Sequence, residues 1–260
     1  MKVVLFCGGL GTRLREGNDT VPKPLVNVGY RPIMWHLMRY YAHFGFKDFI
    51  LCLGYRGDMI REFFLDYRPA MSTDFILSEG GRKVELLGPD CDDWRITFVE
   101  TGMHSNLGTR LMRVKHLVDK DEMFLANYSD GLSDLPLDDH VAKFRASSAV
   151  ATFLSVRPSQ SFHAVQSNDH GVVTSIAPVS GSDYWINGGF FCLRPEIFKY
   201  MEPGEELVEQ PFKRLLAEGR LNTVKYEGFW SAMDTFKDKI VLDRMEAREN
   251  CPWMVWKGTK

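Results

Sequence analysis

The 260-residue chain lacks a long apolar run: no segment approaches the roughly 18 apolar residues a membrane-spanning helix requires. It also lacks an excess of charge of one sign. Lys and Arg number 32 against 34 Asp and Glu, so no basic field is available for generic nucleic-acid binding. Cysteine is sparse: Cys7, Cys52, Cys91, Cys192 and Cys251 are odd in number and unpaired in spacing, which argues against a disulfide framework and a zinc site. Seven histidines (His36, His43, His104, His116, His140, His163 and His170) show no ligand spacing. The amino terminus has no basic region followed by an apolar stretch and a cleavage site. The expectation is a cytoplasmic, reduced protein with neither membrane nor nucleic acid as partner.

What is present is a strand and helix alternation. "KVVLFC" (2–7) is a nearly continuous apolar run stopped by glycines, as a strand buried on both faces would be. "PIMWHLMRYYAHFG" then sets Ile33, Leu37, Tyr41 and Phe44 at helical spacing, with Gly45 as terminator. "DFILCLG" (48–54) repeats the strand and "DMIREFFLDY" the helix. This pitch predicts right-handed crossovers and an α/β, Rossmann-like, doubly wound sheet that is mixed but mostly parallel. Residues 68–93 read as a surface excursion, "WRITFVET" as a strand, Leu111–Val118 as a helix and "EMFLAN" (122–127) as a strand. "AVATFLSV", "FHAVQS", "GVVTSI" and "WINGGFFCL" predict short strands at a mixed sheet edge. A helix at 209–217, a strand "NTVKYE" and a helix from Phe236 follow. One domain over 1–260 is expected, with a nucleotide-binding half to about 135 and an acceptor-binding half from about 136.

The stretch "FCGGLGTRLREGNDTVPKPLVNVG" (6–29) carries the chemistry. It is not a Walker loop, because Gly11 is followed by "TRL" and not by Lys and Ser or Thr. Nor is it the dinucleotide fingerprint, which needs a third glycine where Leu14 stands. A glycine loop after the first buried strand lets backbone N–H groups approach phosphate oxygens. Arg13 adds a planar fork for two oxygens and Lys23 a compact charge, stiffened by Pro22 and Pro24. The same residues also describe a plain glycine turn with two surface cations.

"GGLGTRL" followed by "PKPLVNVGYRPIMWH" resembles the signature of the sugar-1-phosphate nucleotidylyltransferases. The continuation, through "TGMHSNLGTRLMRV", "YSDGLSDL", "WINGGFFCL", "GFWSAMDTFKDK" and "PWMVW", is most similar to the glucose-1-phosphate cytidylyltransferases. The resemblance covers nearly the whole chain. It implies a glycosyltransferase-A-like nucleotidyltransferase fold and attack of a sugar phosphate on the α-phosphorus of a nucleoside triphosphate, CTP here, with release of pyrophosphate. Arg13 would hold the pyrophosphate and Lys23 would bridge the two reacting phosphates. Asp130 and Asp234 would bind Mg2+ as its cofactor; each read alone is an ordinary turn or capping aspartate. Nucleotide contacts would come from Leu5, Gly8, Gly9, Gly11 and Thr12 and from Thr101, Gly102, Ser105, Gly108 and Arg110. Tyr128, Asn187 and Gly188 match acceptor-side positions, while Trp185 and Trp230 read first as core or rim aromatics. The family pattern also implies a homo-oligomer, and the aromatic tail packs either across an interface or on its own subunit.

Three departures fall on the acceptor side. The acid, lysine and proline usual before "INGGF" are replaced by "IAP", so Ala177 stands where the phosphate-gripping lysine would be, and no basic residue occurs between Gly171 and Phe191. His163 takes a glycine position, and Ser129 replaces the glycine before Asp130. These changes leave room for a cytidylyltransferase acting on another phosphate or phosphonate, with His163 or Arg157 as substitute charge. A non-catalytic nucleotide-binding relative is the alternative of another class.

Overall fold

A computed structural model describes residues 1–9, 21–88, 93–158, 163–179 and 183–258. The first half contains β1 (Lys2–Phe6), β2 (Asn27–Val28), β3 (Arg31–Pro32), α1 (Ile33–His43), β4 (Asp48–Leu53), α2 (Gly57–Leu65), β5 (Phe75–Ser78), β6 (Lys83–Leu86), β7 (Arg95–Glu100), α3 (Leu107–Arg113), α4 (Lys115–Val118) and β8 (Phe124–Tyr128). The second contains β9 (Gly131–Ser133), α5 (Leu137–Arg145), β10 (Ala151–Val156), β11 (His163–Ser167), β12 (Val173–Pro178), β13 (Ile186–Asn187), β14 (Phe191–Leu193), α6 (Gln210–Ala217), β15 (Leu221–Tyr226), β16 (Trp230–Ala232) and α7 (Phe236–Ala247).

An eight-stranded sheet organises the chain. β1 lies between β4 and β8, parallel to both, and β4 continues parallel to β7. On the other side β14 runs antiparallel to β8 and to β10, and β10 is parallel to β15. The sheet is therefore mixed with a parallel centre, as the buried apolar runs predict. Successive β1 residues point to opposite faces. Val3, Leu5 and Cys7 join the core under α1, α2, α5 and the tail; Val4 and Phe6 join the core under α3, α4 and α6. Helices on both faces make the sheet doubly wound.

Five local features differ from the sequence reading. The helix expected at 111–118 begins earlier and is split into α3 and α4. Asn106 starts it, its side chain accepting the Thr109 amide at 2.9 Å as an N-cap. The excursion at 68–93 contains the β5–β6 hairpin, and α5 was not anticipated between the "YSDG" loop and β10. "FHAVQS" and "GVVTSI" pair with each other as β11–β12 and take no place in the main sheet. "WINGGFFCL" is broken in two: Gly189 sits at φ +78°, and a Cβ there would lie 2.3 Å from Asn127 Oδ1, so only glycine fits the turn between β13 and β14.

The aromatic tail packs on its own subunit. Trp253 is fully buried and its indole N–H donates to His36 Nδ1 at 3.4 Å, while Trp256 meets Trp35 edge-on. Cys7, Cys52, Cys192 and Cys251 are free; Cys91 lies outside the described residues. Among the described residues no helix is long and apolar enough to cross a membrane.

Candidate active site

The chain leaves β1 toward β4 on one side, and β8 flanks it on the other, so the carboxyl ends of β1 and β8 form the sheet's switch point. Open α/β sheets bind ligands at such a point. A cleft of about 400 Å³ opens there, with Phe6, Gly8 and Gly9 following β1 and Tyr128, Ser129 and Asp130 following β8. Ser129 Oγ donates to the Phe6 carbonyl at 2.9 Å and ties the two strand ends together. The hydroxyl that replaces the family's glycine thus has a local structural use.

Three charged side chains from distant segments converge on this cleft. Pro22 is extended (φ −67°, ψ 144°) and leads into a single tight turn, Lys23–Leu25, closed by Leu25 N–H donating to the Pro22 carbonyl at 2.8 Å. This fixes the direction in which Lys23 leaves the backbone. β9 pairs antiparallel with β16, setting Gly131 opposite Ala232, and Met233 N–H donates to the Asp130 carbonyl at 3.0 Å. That register brings Asp130 and Asp234 to the same end of the ribbon. Lys23 Nζ lies 2.7 Å from Asp234 Oδ1 and also pairs with Asp130 Oδ2. One ammonium touching both carboxylates holds the two acids no farther apart than those contacts laid end to end. Burial opposes the charge on Lys23, but the two carboxylates outweigh it and raise its pKa.

Asp234 is not the helix cap that its position suggests. Thr235 caps α7 through a capping box with Asp238, whose Oδ2 accepts from the Thr235 amide at 2.8 Å. The Asp234 carboxylate is left to face Lys23. Asp130 follows the same logic: its backbone carbonyl is engaged by the ribbon while its side chain enters the cleft.

Arg110 closes the opposite wall. It is 3% exposed, and its guanidinium donates to the Leu53 carbonyl (3.0 Å), Thr101 Oγ1 (2.7 Å) and the Gly8 carbonyl (3.0 Å). A Cβ at Gly8 would fall 2.0 Å from this group, so the glycine after β1 admits the arginine. Most of the Arg110 donors are therefore spent on joining the ends of β1 and β4 to the 101–103 loop.

Of the residues expected from sequence, Gly8, Gly9, Lys23, Ser105, Arg110, Tyr128, Asp130 and Asp234 line the cleft together. Leu5 is core within β1, and Thr101 is fully buried, donating to the Leu53 carbonyl at 2.6 Å. Gly102 takes a positive φ of +88°, and Gly108 packs where a Cβ would meet the Glu205 carbonyl at 2.2 Å. Asn187 reaches Tyr128 with its Nδ2 3.3 Å from the phenol oxygen, and the Trp230 indole donates to the Gly188 carbonyl at 2.9 Å. Asn187 and Gly188 sit one layer behind the lining. His163 is exposed on the β11–β12 hairpin and does not line the cleft. Arg157 lies over the Trp185 ring at 4.3 Å and is also absent from the lining. Gly11, Thr12 and Arg13 lie outside the described residues. Phe6, Asn106 and Leu107 fall within the stretches expected to contact the nucleotide without being singled out, Pro24 was read only as stiffening Lys23, and Glu206 is the described lining residue that sequence reasoning passed over. Asn106 was legible as an N-cap before an apolar helix; Glu206, in "GEEL", carries no distinguishing signal.

A switch-point cleft with a glycine-bearing strand end, one lysine and two acids defines a nucleotide-handling α/β enzyme. The chain belongs to the nucleotidyl transferase family, whose model matches residues 2–238. It is 36% identical over 258 residues to "Probable glucose-1-phosphate cytidylyltransferase" of Bacillus subtilis, covering 98% of this chain and 100% of that one. It is 37% identical over 257 residues to the glucose-1-phosphate cytidylyltransferase of Salmonella typhimurium, with the same coverage. A UDP-glucose pyrophosphorylase from Acinetobacter baumanii superposes with a TM-score of 0.69 at 18% identity, covering 98% of this chain and 96% of that one, a likeness of fold. The chain is an enzyme, a nucleotidyltransferase.

Proposed function

We propose that the enzyme transfers a cytidylyl group from CTP to a sugar 1-phosphate of the glucose 1-phosphate type, in a magnesium-dependent reaction that yields a CDP-sugar and pyrophosphate. The observation that carries this reading is the convergence of Lys23, Asp130 and Asp234 on one cleft at the switch point. The 36–37% identity to glucose-1-phosphate cytidylyltransferases supports the choice of nucleotide and acceptor.

The residues present fit a magnesium ion. Magnesium takes one or two carboxylates and fills its remaining positions with phosphate oxygens and water, and Asp130 and Asp234 offer two carboxylates facing one cleft. Bound there, the ion would supply positive charge to the triphosphate oxygens. The chain's own residues do the rest. The amides after β1 are free of side chains at Gly8 and Gly9 and can approach phosphate oxygens. Lys23 supplies a charge fixed by its turn, worth roughly 4 kcal/mol against an anion about 4 Å away at an effective dielectric near 20. Arg13 would hold the departing pyrophosphate. An oxygen of the acceptor phosphate attacks the α-phosphorus, the bond from that phosphorus to the bridging β-phosphate oxygen breaks, and pyrophosphate carries away the electron pair. No covalent enzyme intermediate is needed, because alignment and charge stabilisation carry such transfers.

The test is pyrophosphate release on mixing the enzyme and magnesium with each of CTP, UTP, dTTP, GTP and ATP against glucose 1-phosphate and a panel of other phosphates and phosphonates. CTP with a sugar 1-phosphate is expected to be fastest. Turnover only with another acceptor moves the substrate and keeps the chemistry, as the change at Ala177 allows. Tight nucleotide binding without pyrophosphate from any pair overturns the enzymatic reading for a non-catalytic nucleotide binder. Light scattering tests the homo-oligomer that the family pattern implies.

A further inference from the structure

We propose that Glu206 is the carboxylate that reads the hydroxyl groups of the acceptor sugar, a positioning role for the part of the acceptor away from its phosphate. The inference rests on the sugar 1-phosphate reading above and deepens it. Glu206 lines the cleft together with Leu107 and Tyr128. It lies close enough to Tyr128 for its charge to help push the phenol up to about 12, after burial of the phenol itself. Tyr128, an acceptor-side position by the family resemblance, is in turn linked to Asn187, so Glu206 stands where the acceptor side of the cleft meets the start of α3.

Its carboxylate is held but not neutralised. Glu206 Oε1 accepts from its neighbour Leu207 N–H at 3.0 Å, and the Leu107 amide at the start of α3 also bonds the group. A carboxylate has about four acceptor positions, so two amides leave capacity for further donors. Among the described residues it forms no ion pair. Burial raises its pKa, which reflects how poorly the site solvates the charge.

The backbone that carries Glu206 is locked. Arg214 grips the adjacent Glu205 as a fork, Nη1 at 2.6 Å and Nη2 at 2.5 Å from its two oxygens. The Glu205 carbonyl lies so close to Gly108 that a Cβ there would be 2.2 Å away, which seats the segment against α3. The enzyme thus fixes a negative charge in a cleft that must accept phosphates. Anionic phosphate is repelled by such a group, and neutral polyhydroxyl is drawn to it. The strand β12 carries no charged residue that could take this part, since it reads "VTSIAP" and is exposed along its length.

The experiment compares the full-length wild type with Glu206→Gln and Glu206→Ala. Probes are glucose 1-phosphate, ethyl phosphate as a hydroxyl-free phosphomonoester, and 2-aminoethylphosphonate as an ammonium-bearing acceptor, each with CTP and magnesium. Expected is a roughly 10- to 100-fold rise in KM for glucose 1-phosphate in both variants, the size of a lost hydrogen bond to a charged group, with KM for CTP unchanged. The preference for glucose 1-phosphate over ethyl phosphate falls by the same factor. A raised KM for CTP would assign Glu206 to the nucleotide, and unchanged constants would make it only a tie to α3; either result overturns the proposal. An effect confined to 2-aminoethylphosphonate overturns the hydroxyl reading in favour of ammonium recognition. Direct titration of glucose 1-phosphate onto wild type and Glu206→Gln, with a non-hydrolysable CTP analogue present, separates the two levels. If no pair of substrates turns over, the reaction is wrong, whereas weaker sugar-phosphate binding by Glu206→Gln still supports the assignment of Glu206 and equal binding sinks it.

Discussion

The end of the parallel sheet and the β11–β12 hairpin differ in how the chain holds its polar residues. At the sheet end, Lys23, Asp130, Asp234 and Arg110 each leave a backbone that is pinned by a turn, a ribbon or a helix, and each meets a partner. On the hairpin, β12 is exposed throughout, Ile176 at 67%, and no hairpin residue lines the cleft. Charges at the sheet end therefore act through fixed geometry, and substitutions there cost much. Substitutions on the hairpin cost little fold and change chemistry only by what they bring to the acceptor.

The comparison breaks most sharply at Asp234. Asp234→Asn removes a charge but keeps the shape, and Thr235 still caps α7, so thermal stability stays within a few degrees. The rate should fall about 10²- to 10³-fold, the scale of one ionic contact of a few kcal/mol. A near-normal kcat with saturating magnesium and CTP would detach this acid from the reaction.

Behind the cleft the pinned region extends to α1 and the tail, where a pH measurement tests it. His36 Nε2 donates to the Val28 carbonyl at 3.0 Å and its Nδ1 accepts from Trp253, so the buried ring is neutral. Burial lowers its pKa from 6.5 to about 4, with Lys257 and Arg31 acting in the same direction against the Val28 bond. Between those values the unfolded chain binds the proton and the folded chain does not, so stability falls as pH drops from 6.5 toward 4. The loss reaches about 3 kcal/mol at the acid end. Denaturant unfolding between pH 7 and pH 4.5 reads this slope, and His36→Gln should remove that share of it.

The sheet end was largely legible in the sequence. "KVVLFC" and "DFILCLG" announce buried strands by composition, and the glycines that follow fix where a phosphate can approach. Lys23 was read from its proline-flanked loop, whereas Asp130 and Asp234 were found through a resemblance, and the convergence that makes the three a cluster depends on the β9–β16 register, which no local pattern encodes. Arg110 was expected among nucleotide contacts without any hint that its donors go to Leu53, Thr101 and Gly8. The hairpin was misplaced because "FHAVQS" and "GVVTSI" look like any edge strands, and pairing partner is a non-local property. Glu206 was invisible for the same reason, since only tertiary contact with α3 turns a surface-like acid into part of the cleft.

A third test lies where the sheet gives way to the acceptor side. Gly189 turns the chain between β13 and β14 at φ +78°, against Asn127 Oδ1. Gly189→Ala should destabilise the fold by about 1–3 kcal/mol, measured by denaturant unfolding, because both the backbone conformation and the close approach are lost. Unchanged stability would mean that this turn is free to move, and the pinned region would end at β8.

The smallest effect is expected at Ala177, and it sharpens the contrast from the hairpin side. Ala177 pairs with Ala164 on an exposed ribbon, so Ala177→Lys should alter stability by less than about 0.5 kcal/mol. A lysine restored there reaches the acceptor phosphate only if the ribbon comes over the cleft. Since no hairpin residue lines the cleft, KM for glucose 1-phosphate should stay within about threefold of wild type, a change of under 1 kcal/mol. A tenfold fall in that KM, with KM for CTP unmoved, would instead place the hairpin beside the bound acceptor. The boundary between fixed and free regions would then belong to the ligand-bound state, and acceptor choice would be governed by charge on β12 together with the wall built around Tyr128.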